Sequence, residues 1–292
     1  MHEKPSDQPM PTMPPILVAG LFREIGQHLV NLLRSLSADE WHLPTSSSQR
    51  NIKDIASHLL DGSLCRLSMQ RDGYLSPNDS SRMRSDETLL DFLNRLNADW
   101  EKATRRLSPS VLLGLIEWAY EQLADLFESL DPFAPAIFPV AWAGEGQSEN
   151  WMDVARDYTE KWHHTQQIFE AARRPSTITQ RRLFHPCLNT FMRALPFTFR
   201  SVPAEVGTAV IVTVTGEAGD NWYVERGDDG WRQVTRPTGC VRSNVILDQI
   251  SAWKLVTKRR SREATLAELP DIRIEGDVDL GSHVIDMVSM MA

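Results

Sequence analysis

Glu160 and His164 lie one helical turn apart in Asp157-Tyr-Thr-Glu-Lys-Trp-His-His-Thr-Gln-Gln-Ile168, and far upstream His58 interrupts a second helical pattern, Asp54-Ile-Ala-Ser-His-Leu-Leu60. An i,i+4 pair projects both donors from one face of a helix. A third donor on a neighbouring helix would close a three-ligand facial set with one position left open, and open positions are where catalytic metals work. The candidate ligands are therefore His58, Glu160 and His164. Two imidazoles and a carboxylate suit zinc, and the same set suits non-heme iron(II), so residue type leaves the metal open.

Neighbouring residues bear on that chemistry. Positions 157, 160, 164 and 167/168 share one stripe of the helix, so Gln167 stands one turn beyond His164, where it would anchor substrate or another ligand. Asp54 precedes His58 by one turn. It either orients the imidazole as an acceptor or serves the helix N-terminus. His163 lies about 100° around the helix from His164 and is expected to be structural, although a local shift of register would let it compete as the ligand. A lone histidine in an amphipathic helix is more often a satisfied core or surface group than a ligand, and Glu-x-x-x-His alone is more often an ion pair. Trp151, Tyr158, Trp162 and Phe169 are expected in the core, and Cys65, seven residues after His58 on nearly the same face, is expected to be a buried packing residue, with a reactive thiol near the metal as the alternative.

The elements that must position these groups follow from hydrophobic spacing. From residue 16 to about 174 apolar residues recur with a helical period. Helices are expected over about 15–35, with Leu17, Leu21, Ile25, Leu29, Leu32 and Leu33 inward; over 51–71, capped by Asn51 with Asp54 three residues on; over 86–107; and from Ser108-Pro109 to about 130. A polar connection spans 75–85. The proline-rich stretch 131–144 predicts an ordered loop, and Ser148 or Asn150 is expected to cap the helix carrying Glu160 and His164, which ends at Arg173-Arg174-Pro175. Beyond Pro175 the pattern turns to alternation and turns. Strands are expected over 208–215, 221–226, 231–235, 244–248 and 271–275, a helix over 249–258 and a last helix over 280–291.

Composition bounds the rest. The 292 residues carry a net charge of −8, and the acidic excess is confined to the first 175 residues, with 17 basic against 25 acidic side chains; the remainder is balanced at 14 of each. That shift of composition supports a domain boundary there. An acidic surface argues against nucleic acid as a partner, and the short basic run Lys258-Arg-Arg-Ser-Arg262 reads as solvated cations after a helix. No stretch approaches the roughly 20 apolar residues of a membrane span. Residues 1–15, with five prolines and three charged side chains, read as a flexible or extended tail rather than a signal peptide. Three widely separated cysteines, Cys65, Cys187 and Cys240, fit free thiols in a reducing cytoplasm. The expected protein is cytoplasmic, a monomer or homodimer, acting on a small molecule.

The segment Asp54-Ile-Ala-Ser-His58-Leu-Leu followed by Glu160-Lys-Trp-His-His164-Thr-Gln-Gln167-Ile resembles the DinB-like metal-binding helix bundles, and within them the mycothiol-dependent maleylpyruvate isomerases. The resemblance covers about residues 16–174. The upstream Leu-Ser-Ala-Asp-Glu-Trp41-His-Leu-Pro-Thr is similar to the family's approach to its second helix. Where many members place a tryptophan just before that helix, this chain has Gln49-Arg50-Asn51. Weaker similarity to the companion C-terminal domain lies in Thr215-Gly-Glu-Ala-Gly and Ile274-Glu-Gly-Asp-Val-Asp-Leu.

The resemblance implies an α+β protein of two domains: a tail over 1–15, a DinB-like four-helix bundle with extra helical segments over 16–175, and a small α+β domain with a mostly antiparallel sheet over 176–292. It implies a divalent metal on His58, Glu160 and His164, with zinc expected and Fe2+ or Ni2+ as alternatives. It also implies a low-molecular-weight thiol, mycothiol-like or glutathione, whose pKa the metal lowers so that the thiolate attacks an electrophile. In the isomerases the thiol adds to a cis double bond, the adduct rotates, and elimination returns the trans acid. A carboxylated substrate would want an arginine from the second domain; Arg193 and Arg226 are the candidates carried forward, with Arg232 a third. The expected activity is metal-dependent isomerisation or S-transfer. The competing readings are a metal- or ligand-binding protein that has lost the chemistry, and an iron(II)-dependent oxidative enzyme.

Overall fold

The computed structural model describes residues 13–47, 50–74, 88–257 and 261–289. The polar connection at 75–85, most of the expected N-terminal tail, part of the 258–262 basic run and the last residues of the expected C-terminal helix lie outside them.

The first half is helical, as the spacing predicts. A 3-10 turn (Ala19–Leu21) leads into α1 (Phe22–Arg34); α2 (Ile52–Arg66) continues as a π-helical segment, Leu67–Arg71; α3 (Leu89–Thr104), α4 (Pro109–Ser129) and α5 (Asn150–Ala171) follow. Local chemistry starts several of them. Asn51 accepts from the Asp54 backbone N–H at 2.9 Å while the Asp54 carboxylate accepts from the Asn51 N–H at 3.1 Å, a reciprocal capping box. Asp54 thus serves the helix N-terminus. Ser108 caps α4 with Pro109 at its first position, where a missing N–H costs nothing. Replacing Asn51 by alanine should cost about 1 kcal/mol and lower the thermal midpoint by a few degrees; an unchanged midpoint would mean that this end of α2 is held by packing alone.

The start of α5 differs from expectation. Glu149 occupies the N-cap position without a side-chain bond, and neither Ser148 nor Asn150 caps. Ser148 Oγ instead accepts from the Val140 N–H at 2.8 Å and donates to Glu145, and the Asn150 amide donates to the Asp131 carbonyl at 2.9 Å. The loop preceding α5 folds back on the helix start through Ala136 N–H to Ser148 O and Asn150 N–H to Ala134 O. Its buried backbone groups need partners, and these two polar side chains supply them.

Between Pro175 and the first expected strand, where no element was expected, the structure has helices. Helix α6 (Arg181–Phe191), a 3-10 turn (Met192–Ala194) and α7 (Leu195–Phe199) come first. They form despite Pro186 inside α6 because the face carrying Leu183, Phe184, Cys187 and Leu188 is fully buried. The strands β1 (Thr208–Thr215), β2 (Asn221–Gly227), β3 (Gly230–Val234) and β4 (Cys240–Asp248) follow, then α8 (Gln249–Val256), α9 (Arg262–Glu268), β5 (Arg273–Gly276) and α10 (Val278–Ser282). Among the described residues the strands make one five-stranded sheet in the order β3-β2-β1-β4-β5, with the central β1–β4 pair parallel and the other pairs antiparallel. The expected long last helix is instead the short α10 and a 3-10 turn, His283–Asp286. The chain then runs on to Ser289, whose N–H bonds Val256 O and whose hydroxyl bonds Phe191 O. Those contacts hold it away from a helical path.

One apolar core runs from α1 through α5 and α6 to the sheet. Helix α5 is its axis. The Trp162 ring stacks on Phe184 with centroids 4.0 Å apart, its indole N–H bonds Ile178 O, and the Tyr158 hydroxyl bonds Leu183 O. Phe169 is buried with them, whereas Trp151 is only partly covered. No helix of the described residues is long and apolar enough to cross a membrane.

Candidate metal centre

Helix α5 is unusual for a central helix because so much of its buried surface is polar. Asp153, Asp157, Thr159, Lys161, His163, His164, Thr165, Gln166 and Gln167 are all buried. Buried polar groups are costly unless partnered, so their partners reveal what the helix is built to hold. Lys161, only 2% exposed, donates to Leu59 O at 3.3 Å and to Ser63 Oγ at 3.0 Å, clamping α5 to α2 beside His58. One face further back, Arg66 of α2 makes a two-point ion pair with Asp153 at 2.6 and 3.0 Å. Both cross-links set the spacing of the two helices that carry the predicted ligands.

Between them the three predicted ligands come together. His58, Glu160 and His164 each offer a donor atom, and these atoms all lie within 4.8 Å of one another. His164 Nε2 is 3.4 Å from the Glu160 carboxylate, and the His58 and His164 rings meet edge-on with centroids 4.8 Å apart. Burial, followed by the neighbouring His164, pushes the His58 imidazole down to about 3. Burial alone would raise the Glu160 carboxyl, but its hydrogen bond to His164 and the charges of the surrounding histidines outweigh that and hold it at about 2. At neutral pH His58 is thus a neutral imidazole and Glu160 an anion, the forms that ligate. The donor set fits a divalent ion of the zinc or iron(II) kind.

Gln167 sits where its spacing predicts, but its contacts are to the protein. Its Oε1 lies 2.8 Å from His164 Nδ1 and its amide donates to Ser46 Oγ at 3.2 Å. That bond turns His164 Nε2 toward Glu160. Outer partners of this sort typically contribute 10–100-fold to metal affinity. Gln167→Leu should therefore weaken binding by about that factor while saturating metal still restores full stoichiometry in a competition titration; unaltered affinity would remove Gln167 from the centre.

The remaining candidates are placed as follows. His163 is buried next to His164, with its Nδ1 accepting from the Trp253 indole N–H of α8 at 2.8 Å. Sequence reasoning did not single out Trp253, since no local pattern couples a residue of the C-terminal half to α5. Arg193 bonds Pro14 O and lies over the Trp151 ring at 5.4 Å; Arg232 pairs with Glu225 at 3.4 Å; Arg226 stands opposite Trp231 in the β2–β3 register. None of the three makes a hydrogen bond or ion pair with His58, Glu160 or His164 among the described residues. Arg50, which pairs with Glu101 at 2.6 Å, lies near enough to His58 for its charge to help lower that imidazole. Cys65 is an exposed residue, bonded to Asp61 at 3.5 Å, and partial desolvation of its sulfur by neighbouring atoms, followed by the adjacent carboxylate, pushes its thiol up to about 12.

The whole fold, with a helical half bearing this trio and an α+β half behind it, is one already seen among solved enzymes. It is the fold of mycothiol-dependent maleylpyruvate isomerase: a histidine-to-alanine variant of that enzyme superposes with a TM-score of 0.53 at 10% identity, over 89% of this chain and 92% of that one. A second structure of the isomerase aligns over the same shares at 12% identity with a TM-score of 0.47. No family model and no curated protein sequence matches the chain.

Proposed function

We propose that the protein is a metal-dependent enzyme that uses a low-molecular-weight thiol for isomerisation or S-transfer on a small electrophilic compound. The observation that carries this reading is the convergence of His58, Glu160 and His164, from two helices, within 4.8 Å in a fold shared with a thiol-dependent isomerase. In this reading α1, α2, α4 and α5 are a DinB-like four-helix bundle, residues 16–175 and 176–292 are its two domains, and the three side chains hold a divalent ion, zinc in the first instance. Such an ion supplies Lewis-acid charge that lowers the pKa of a coordinated thiol. The protein's own part is to present one carboxylate and two neutral imidazoles in fixed orientation. His164 is turned by Gln167, and α2 and α5 are held at their spacing by Lys161 and by the Arg66–Asp153 pair. Three protein ligands leave a coordination position for the thiol sulfur.

The test is a thermal-shift screen of the zinc-loaded protein against mycothiol and glutathione, followed by turnover assays on unsaturated and other electrophilic acids with the thiol that binds. Stabilisation by one thiol and thiol-dependent turnover would support the reading. Metal uptake without thiol binding or turnover would leave a binding protein, and oxygen consumption with iron but not with zinc would replace thiol chemistry by oxidation.

A further inference from the structure

His163 and His164 are adjacent, both buried and both beside Glu160, yet only one of them joins His58 and Glu160. Their ring centroids are 4.7 Å apart, but among the described residues only His164 offers a donor atom within 4.8 Å of those of His58 and Glu160. Their hydrogen bonds follow the same division. Gln167 presents a carbonyl oxygen to His164 Nδ1 at 2.8 Å, which requires the proton on Nδ1 and makes Nε2, facing Glu160 at 3.4 Å, the nitrogen that would give its lone pair to a metal in place of the bond to Glu160. At His163 the relation is reversed. The Trp253 indole is a donor only, and it lies 2.8 Å from His163 Nδ1, so that nitrogen must carry the lone pair and the neutral ring holds its proton on Nε2.

We infer that Trp253, on the C-terminal half, is a positioning residue that withdraws His163 from metal binding and so selects His164 as the ligand. This rests on the reading of His58, Glu160 and His164 as a metal centre. A metal needs an unprotonated, unshared ring nitrogen; in His163 one nitrogen has its lone pair engaged by the indole and the other is protonated. The indole is itself immobilised. It is 2% exposed and meets the Trp162 ring edge-on at 5.6 Å and the His163 ring at 5.6 Å. The C-terminal half therefore contributes to the centre without supplying a ligand: it decides which of two neighbouring imidazoles coordinates.

Two measurements test this. In nitrogen-15-labelled metal-free protein, long-range proton–nitrogen correlation should report His163 with a bare Nδ1 and a protonated Nε2. Trp253→Phe, which keeps an apolar ring and deletes the N–H, should convert it to a mixture of tautomers. In cobalt titrations His163→Ala should keep one equivalent of metal with the wild-type visible spectrum, whereas Trp253→Phe should bind the same equivalent with an altered spectrum as His163 replaces His164 in part of the molecules. A protonated His163 Nδ1 in the wild type, loss of metal in His163→Ala, or a tautomer and spectrum unchanged in Trp253→Phe would each overturn the inference. If Trp253→Phe does not fold, the wild-type tautomer and the His163→Ala titration still decide it. Failure of wild-type protein to take up cobalt at all would instead refute the metal centre, and the wild-type tautomer would still read the role of Trp253.

Discussion

His164→Ala is expected to abolish metal binding. Elemental analysis of wild-type protein should find about one divalent ion per chain and of the variant essentially none, because two protein donors hold a divalent ion far more weakly than three. Outer partners of metal ligands are worth 10–100-fold, so loss of a ligand itself should exceed the upper figure, at least about 2.7 kcal/mol. His58→Ala should behave alike. The helical circular dichroism should survive in both variants, since α2 and α5 are also joined by Lys161 and by Arg66–Asp153. Metal binding only to the folded form adds stability by mass action, about 2.7 kcal/mol at a hundredfold excess over the dissociation constant. A chelator should accordingly lower the wild-type midpoint and leave that of His164→Ala unmoved. Stoichiometric metal in both variants would end the assignment.

Asp153→Ala should be strongly destabilising. Asp153 is 1% exposed and receives two hydrogen bonds from Arg66, itself 3% exposed, and two more from Arg156 at 3.0 and 3.2 Å. Removing the carboxylate strands a buried guanidinium, a change that typically costs about 3–5 kcal/mol. For a protein of this size that is a midpoint drop of about 6–20 °C. The pH dependence carries a definite sign. Burial alone would raise the Asp153 carboxyl, but the Arg66 hydrogen bonds and the charges of Arg66 and Arg156 outweigh it and leave it below the usual carboxylate range. Its contribution is therefore complete above the unfolded-state value of about 3.9 and is lost as pH falls through the lower folded value. The stability gap between wild type and Asp153→Ala should hold from pH 7 down to about 4 and close only below that. A gap under about 1 kcal/mol, or one that shrinks already near pH 6, would show that the pair behaves as an ordinary surface ion pair.

Much of the helical half is legible in the sequence because its signals are local. The 3.6-residue spacing marks α1, α2, α4 and α5, and Asn51 and Ser108 announce two of the helix starts through bonds to residues three positions away. The errors fall where a distant partner outbids the local one. Ser148 and Asn150 have the right chemistry for a cap, yet the loop carbonyl of Asp131 and the N–H of Val140 claim them. Pro186 argues against a helix through residues 181–191, but burial of Phe184 against Trp162 overrides it, whereas Pro196 falls in the first turn of α7, where a missing N–H costs no bond. Cys65 reads as a packing residue because free cysteines are usually buried, and the structure leaves it exposed beside Asp61.

The candidate centre divides the same way. Sequence alone determines that Glu160 and His164 share a face, because four residues on a helix return to nearly the same direction whatever surrounds it. It also determines that His58 lies on a capped helix and that Gln167 is one turn beyond His164. Only the tertiary structure decides that α2 stands against α5 at a distance that joins His58 to the pair, and that Gln167 turns inward to His164. It alone leaves Arg193, Arg226 and Arg232 among other partners and brings Trp253 to His163 across ninety positions of chain. Those arrangements depend on which buried polar groups find one another once the apolar faces have packed, and that is a property of the assembled core rather than of any window of sequence.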